Sequence, residues 1–418
     1  MEFQRDKYLQ RLIGGMSNSL VKIVTGIRRC GKSYLLFELF KRHLLNSGVP
    51  ESNIILLAID DWDSHEFRDP NRLMQYIGQR LKETEGRCYV LIDEVQLLDR
   101  FVEVLLSLMH NGRCEVYVTG SNSRFLSSDV VSEFRGRGDE IRLSPLSFLE
   151  YYTAFGGDKT ERMRQYSVYG GLPQVALIDD ISKKRSFLKN LFHSIYLRDL
   201  IERNKVQNDK GLEDLVRVLA SAIGSPTNPS RISNTFKSVR RRSITDKTIS
   251  VYISHLIDAY IIQEAMRYDV KGRKYIGSNS KYYFSDMGIR NAIINFRQQE
   301  PTHIMENVIY NELVGRGYSV DVGNVETWYT NVQGKSARAY LEIDFVVNND
   351  DERVYVQSAY SMPTREKVAQ EQKSLLSIKD GFRKVIVTAD NVAPWTTDEG
   401  IRIINYWDFL LDEKLLFN

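Results

Sequence analysis

Residues 26–33 read Gly-Ile-Arg-Arg-Cys-Gly-Lys-Ser, a complete G-x-x-x-x-G-K-S phosphate-binding loop. Val21–Thr25 before it is strand-like, and Tyr34–His43 after it has a helical apolar pattern. Strand, glycine loop and helix are the setting the motif requires. Gly26 and Gly31 permit backbone angles that let successive N–H groups curl around a phosphate. The helix opening at Lys32 adds its positive end. Lys32 reaches the β- and γ-phosphates, and the Ser33 hydroxyl is a ligand for Mg²⁺. The expected nucleotide-binding set is Gly26, Ile27, Arg28, Arg29, Cys30, Gly31, Lys32, Ser33 and Tyr34, with Arg28 and Arg29 equally suited to facing solvent.

The chain of 418 residues has room for two to four domains. At 42% apolar and 27% charged it has the composition of a folded soluble protein. A net charge of +3 supplies no global attraction for nucleic acid, so any such binding needs a local patch. Cys30, Cys88 and Cys114 are too few and too scattered for a disulfide framework or a zinc site. No signal-peptide pattern and no long apolar run is present, so a cytoplasmic protein without a membrane partner is expected.

Strand-like runs at 20–25, 53–59, 87–92, 115–119 and 140–143 alternate with helical stretches, the pattern of a parallel α/β sheet. Arg87–Glu94 reads Arg-Cys-Tyr-Val-Leu-Ile-Asp-Glu, a buried strand ending in two acids. Asp93 is thereby placed to hold Mg²⁺, and Glu94 to polarise an attacking water as general base. Next comes Val116-Tyr-Val-Thr-Gly-Ser-Asn122. Inserted between the two motif strands, it would point Thr119, Ser121 or Asn122 at the γ-phosphate. Asn122 is preferred because its amide both donates to phosphate and orients water. In Phe134-Arg-Gly-Arg-Gly138, Arg137 or Arg135 is a candidate arginine finger, in cis or from a neighbouring subunit, or else part of a solvated turn. Asp60 and Asp61 end the second strand and are weaker candidates.

The stretches VTGIRRCGKS, YVLIDEVQ, VYVTGSNS and FRGRG, with YGGLPQVAL (Tyr169–Leu177) and IYLRDLIERN (Ile195–Asn204), resemble AAA-type ATPases of bacteria and archaea that carry a C-terminal domain of unknown function. These are the archaeal ATPase group, related to the signalling NTPases with numerous domains. The resemblance covers nearly the whole chain. It implies a P-loop core at 1–145, a first-sensor residue at the Thr119–Asn122 strand tip, ATP and Mg²⁺ as ligands, and a helical lid at 146–227. Within that lid the Gly170-Gly-Leu-Pro173 turn is a hinge or a helix stop.

Residues 228–298 read as a winged helix-turn-helix. Helices at 231–239 and 246–259 are joined by Arg240-Arg-Arg-Ser-Ile-Thr245, with Thr245 as N-cap of the second. Strands at 261–268 and 281–285 flank the basic tip Lys271-Gly-Arg-Lys274. The second helix would enter a DNA groove, while Arg240, Arg241, Arg242, Lys271, Arg273 and Lys274 would contact phosphates. Docking of a protein, or self-association, is the alternative use of such a module.

Residues 299–418 resemble the restriction-endonuclease fold. That resemblance assigns its metal-site roles to Glu306 on a helix, Asp344 on a strand and the triplet Gln357-Ser-Ala359. Gln357 replaces a carboxylate and Ala359 replaces the lysine, and a neutral amide is a poor Mg²⁺ ligand. Arg365 or Lys367 is the nearest substitute cation in sequence. A binding or assembly module that has lost the chemistry is therefore expected. Three readings follow: an ATPase that couples its nucleotide state to DNA or a protein partner, a slow-turnover switch or scaffold, or an ATP-gated nuclease.

Overall fold

Apolar strand sequences dictate the first layer. Val21–Thr25 (β1) and Cys88–Asp93 (β3) are buried along their whole length, as strands covered on both faces must be. With Ile54–Ala58 (β2), Cys114–Thr119 (β4) and Gly138–Arg142 (β5) they form a five-stranded sheet in the order β2-β3-β4-β1-β5. All four pairings are parallel. Strand β4 thus lies between the two motif strands, and the carboxyl ends of β1, β3 and β4 converge on one edge, where such sheets bind ligands.

This computed structural model describes residues 2–120, 134, 136–240, 244–297, 300–330 and 336–417. Ser121, Asn122, Arg135, Arg241 and Arg242 lie outside the described residues, as does the side chain of Arg240. The chain divides into two units. The first comprises Met1–Pro145 with Leu172–Gln174 and Asp258–Tyr260, and the second comprises Leu146–Gly171, Val175–Ile257 and Ile261–Asn418.

One charged residue breaks the apolar pattern of the first sheet. Lys22 is fully buried, and its Nζ lies 2.6 Å from Glu115 Oε2 on the neighbouring strand. Glu115 Oε1 in turn faces Arg87 at 3.2 Å and accepts from the Ser17 amide, so the buried charge is fully partnered.

The second unit begins with helices between Phe148 and Ser221. Gly170, at φ 77°, ends the helix Lys159–Tyr169, so the Gly-Gly turn acts as a helix stop. A Cβ on Gly170 would meet the Asp286 carboxylate at 2.2 Å, and one on Gly171 would meet the Leu146 carbonyl at 2.3 Å. Asp286 accepts from the Gly171 amide at 2.7 Å and caps the helix Met287–Ile293 through the Ile289 amide at 3.0 Å.

Helices Pro229–Arg240 (α1) and Asp246–Asp258 (α2) follow. Thr245 Oγ1 accepts from the Thr248 amide, and α2 buries Ile249, Tyr252, Ile253 and Leu256 along one face. The hairpin of Ile262–Asp269 (β6) and Lys274–Phe284 (β7) is longer than expected from the sequence. Lys274, Tyr275 and Ile276, which the sequence left outside the strand, pair with Asp269, Tyr268 and Arg267 of β6 beyond a register shift, a non-local effect. Nor does the hairpin stand alone. Arg267–Asp269 pair in parallel with Val322–Asn324 of Ser319–Thr330 (β8), so the hairpin is the edge of an eight-stranded sheet. The sheet continues through Ser336–Asn349 (β9), Glu352–Ala359 (β10), Arg383–Thr388 (β11), Trp395–Thr396 (β12) and Arg402–Asn405 (β13), in the order β12-β13-β11-β10-β9-β8-β6-β7. Helix Pro301–Gly315 (α3) packs against β7 to β10, and helix Arg365–Leu376 (α4) against β9 to β11. Among the described residues no helix is long and apolar enough to cross a membrane.

Asp286 carries a cap and a buried turn at once, so Asp286→Ala is expected to cost about 2–3 kcal/mol by stranding two buried amides. A urea titration followed by circular dichroism measures this as a lowered midpoint.

Candidate functional site

The loop after β1 is shaped by close backbone approach. Gly26 has φ 136°, and a Cβ there would lie 2.1 Å from the Leu143 carbonyl oxygen, so only glycine fits. Gly31, at φ 102°, precedes the helix that opens at Lys32. Lys32 is buried, and its ammonium donates to the Gly26 carbonyl at 3.0 Å and the Ile27 carbonyl at 3.2 Å. Ile27 and Cys30 are buried under the loop, Arg28 is half-buried and Arg29 is exposed. The side chain of Tyr34 instead hydrogen-bonds Glu2. Pro173 closes one side, with its Cγ 3.8 Å from the position a Gly31 Cβ would take. Only the folded chain brings this proline, some 140 residues downstream, to the loop.

Asp93 ends β3 and is held by two hydroxyls, Ser33 of the loop and Thr119 Oγ1 at the tip of β4. The same Thr119 oxygen accepts from the Glu94 amide at 3.1 Å. One threonine therefore ties together the candidate metal-holding aspartate and the backbone of the candidate base. Burial pushes the Asp93 carboxyl up; the Ser33 and Thr119 hydroxyls oppose that, while Glu94 and Asp60 add to it. Asp60 thus stands near the site, and both Asp60 and Asp61 are exposed. Glu94 has φ 49°, and Gln96 Nε2 donates to its carboxylate.

Arg137 lies elsewhere. Its carbonyl accepts from the Val21 amide at 3.0 Å, at the amino end of β1. The phosphate loop is at the other end, roughly 16 Å away along the strand, beyond the reach of an arginine side chain. The cis arrangement is corrected on this ground, and Arg137 can meet a phosphate only in a neighbouring subunit's site.

The second unit gathers Glu306, Asp344 and Gln357, which the sequence had singled out, around a cation it had not. Lys281 of β7 is 2% exposed, with its Nζ 2.8 Å from Glu306 Oε1, 2.7 Å from Glu342 Oε1 and 3.8 Å from Asp344 Oδ1. Tyr283 donates to Glu306 at 2.6 Å, and the Ser358 amide donates to Asp344 at 2.8 Å. Gln357 Oε1 accepts weakly from the Asp344 amide at 3.4 Å. The expected substitutes do not serve: Lys367 pairs with Glu371 at 2.6 Å, and Arg365 is exposed. Among the described residues no three acid, histidine or cysteine side chains close around a metal-sized space. The signal that could have found Lys281 is a lone lysine inside the aromatic run Tyr282-Tyr-Phe284.

Burial and the neighbouring Glu306 push the Asp344 carboxyl up to about 8, against an ordinary 3.8. The folded chain thus holds this proton more tightly than the unfolded one. The resulting stabilisation is complete below about pH 4 and is lost as pH rises through about 8. Thermal melts between pH 5 and 9 are expected to show that decline in the parent chain and a flatter profile in Asp344→Asn. Lys281→Met, which leaves buried acids without their cation, is expected to lower stability by about 3–5 kcal/mol, read as a shift in denaturant midpoint.

Residues 18–152 match the model of an AAA domain, and residues 160–300 match a domain of unknown function. An uncharacterized protein of Haemophilus influenzae is 32% identical over 412 residues, covering 97% of this chain and 98% of its own. An uncharacterized protein of Methanocaldococcus jannaschii is 26% identical over 404 residues, covering 93% of this chain and 82% of its own. Among solved structures, the Walker-type ATPase of Pyrococcus abyssi superposes with a TM-score of 0.50 at 16% identity, covering 70% of this chain and 96% of that one. Near full-length similarity shows that the chain belongs to the same family as the Haemophilus influenzae protein, and within this chain residues 18–152 are of AAA type.

Proposed function

We propose that this protein is a Mg²⁺-dependent ATP hydrolase whose nucleotide state governs the binding of DNA or a protein partner by the second unit. The observation that carries the reading is the Thr119 hydroxyl, shared between Asp93 and the Glu94 amide at the edge of the phosphate loop. The Ser33 hydroxyl and the Asp93 carboxylate form a hard-oxygen donor pair that suits Mg²⁺. Held by Ser33 and Asp93, the metal would supply positive charge that offsets the negative charge of the phosphates. Lys32 would exchange its carbonyl partners for phosphate oxygens, and Glu94 would accept a proton from the attacking water. Asn122, the residue the sequence prefers, or Thr119 would serve as the first sensor. Arg137 would act as a finger only between subunits, which requires self-association, and Arg135 is a candidate in cis or in trans.

On the partner side, α1, α2 and the β6–β7 hairpin keep the order of a winged helix, with Arg240–Arg242 and Lys271–Lys274 as phosphate contacts. Residues 299–418 are read as a nuclease-like fold used for binding, because the Lys281 ammonium occupies the midst of its acids. The free thiols of Cys30, Cys88 and Cys114 suit a reducing cytoplasm.

Lys32→Ala should abolish ATP binding measured by calorimetry. Glu94→Gln should retain binding and lose at least about 100-fold in phosphate release. Equal turnover by Glu94→Gln and the parent chain would refute hydrolysis through this acid, and no phosphate release by the parent chain would leave a nucleotide-loaded switch. If replacing Arg240–Arg242 by alanine leaves salt-dependent duplex binding unchanged, the helix pair is not the DNA contact.

A further inference from the structure

Between Val325 and Thr330, β8 pairs only with β9, and between Ser336 and Leu341, β9 pairs only with β8, among the described residues. The two strands thus leave the sheet as a ribbon, a construction of marginal stability by itself. Its side chains alternate between two faces. The register sets Trp328 opposite Arg338, Glu326 opposite Tyr340 and Asn324 opposite Glu342, so these residues share one face. On that face Trp328 is 60% exposed and Tyr340 is 55% exposed. Arg338 braces both rings. Its guanidinium lies 5.3 Å from the Trp328 ring centre, pairs with Glu326 at 3.0 Å and hydrogen-bonds Tyr340. The rings are held in place yet largely uncovered, an unusual use of aromatic surface in a folded chain.

The basic tip of the neighbouring hairpin reaches the same row. Lys271 Nζ donates to the Glu326 carbonyl at 2.6 Å, and Lys271, Arg273 and Lys274 are all exposed. Among the described residues, the face of Trp328, Arg338 and Tyr340 carries no aliphatic side chain, since Val325 and Leu341 lie on the opposite face against the core, so it lacks the anchors that dock an amphipathic helix. Two planar rings a short step from three cations match alternating bases and phosphates. A duplex hides its base faces; a single strand exposes them.

We propose that the ribbon face of Trp328, Arg338 and Tyr340, with Lys271, Arg273 and Lys274, binds single-stranded nucleic acid by base stacking and phosphate contact. This deepens the partner half of the function proposed above by naming the partner's class, and it is independent of ATP hydrolysis. Bases lie on Trp328 and Tyr340, and the phosphates between them face the basic tip.

The test uses the full chain and fluorescein-labelled mixed-sequence 20-mers in fluorescence anisotropy over a series of salt concentrations. Single-stranded DNA, single-stranded RNA and the matching DNA duplex are compared. The expected result is tighter binding of a single strand than of the duplex. Trp328→Ala with Tyr340→Ala should weaken binding at least about tenfold with the salt slope unchanged, whereas Trp328→Phe with Tyr340→Phe should largely retain it. Lys271, Arg273 and Lys274 replaced by alanine should flatten the salt slope. The DNA and RNA arms identify which strand is preferred. No single-strand binding, or single-strand affinity untouched by the double alanine variant, overturns the proposal. Duplex binding that the ribbon variants leave unchanged would place the contact on the helix pair and also overturn it. Phosphate release measured without nucleic acid reports the ATPase reading separately.

Discussion

Among the described glycines of the first unit, the one with least room for a side chain sits at the mouth of the phosphate loop. The chain leaves β1 at Gly26 with a backbone angle and a clearance from the Leu143 carbonyl that no side chain tolerates. Leu143 follows β5, and β5 pairs with β1 along its whole length, so the sheet itself sets that clearance. The loop shape is thus inherited from parallel pairing. Lys32 and Ser33 take their position from this turn.

A second consequence of the same sheet is the order of its strands. Because β4 lies between β1 and β3, its last residue arrives beside Asp93, and the Thr119 hydroxyl can serve two partners. Parallel strands carry their polar ends to one edge, which lets a short side chain bridge two motifs far apart in sequence. The same geometry sends Arg137 to the opposite edge, since a residue entering β5 lies at the amino end of β1.

The second unit solves a different electrostatic problem. Three buried or half-buried acids converge under α3, and a divalent cation or an internal ammonium can satisfy such a group. Here Lys281 provides the charge from β7, with Tyr283 and the Ser358 amide completing the hydrogen bonds. An internal ammonium keeps the strands and helix together without taking up a metal, at the cost of tying chemistry-bearing acids into the core. The ribbon of β8 and β9 then runs outward from this cluster, since Glu342 and Tyr340 alternate along one strand face.

The sequence by itself determined the phosphate loop, the strand acids Asp93 and Glu94, the parallel α/β class and the cap of α2. Each rests on local rules, namely glycine at positive φ, apolar runs of strand length, and hydroxyls before helices. The start of the wing strand at Lys274–Ile276 was not legible, because this short stretch becomes a strand only when β6 supplies the hydrogen bonds. Neither Lys281 nor Pro173 stood out, since each acquires its role from neighbours far away in the chain. Tertiary structure alone decided which tip residue of β4 meets Asp93, which end of the sheet Arg137 occupies, and which cation faces Glu306 and Asp344. Those outcomes depend on strand order and register, and these are set by long-range packing that no local pattern encodes.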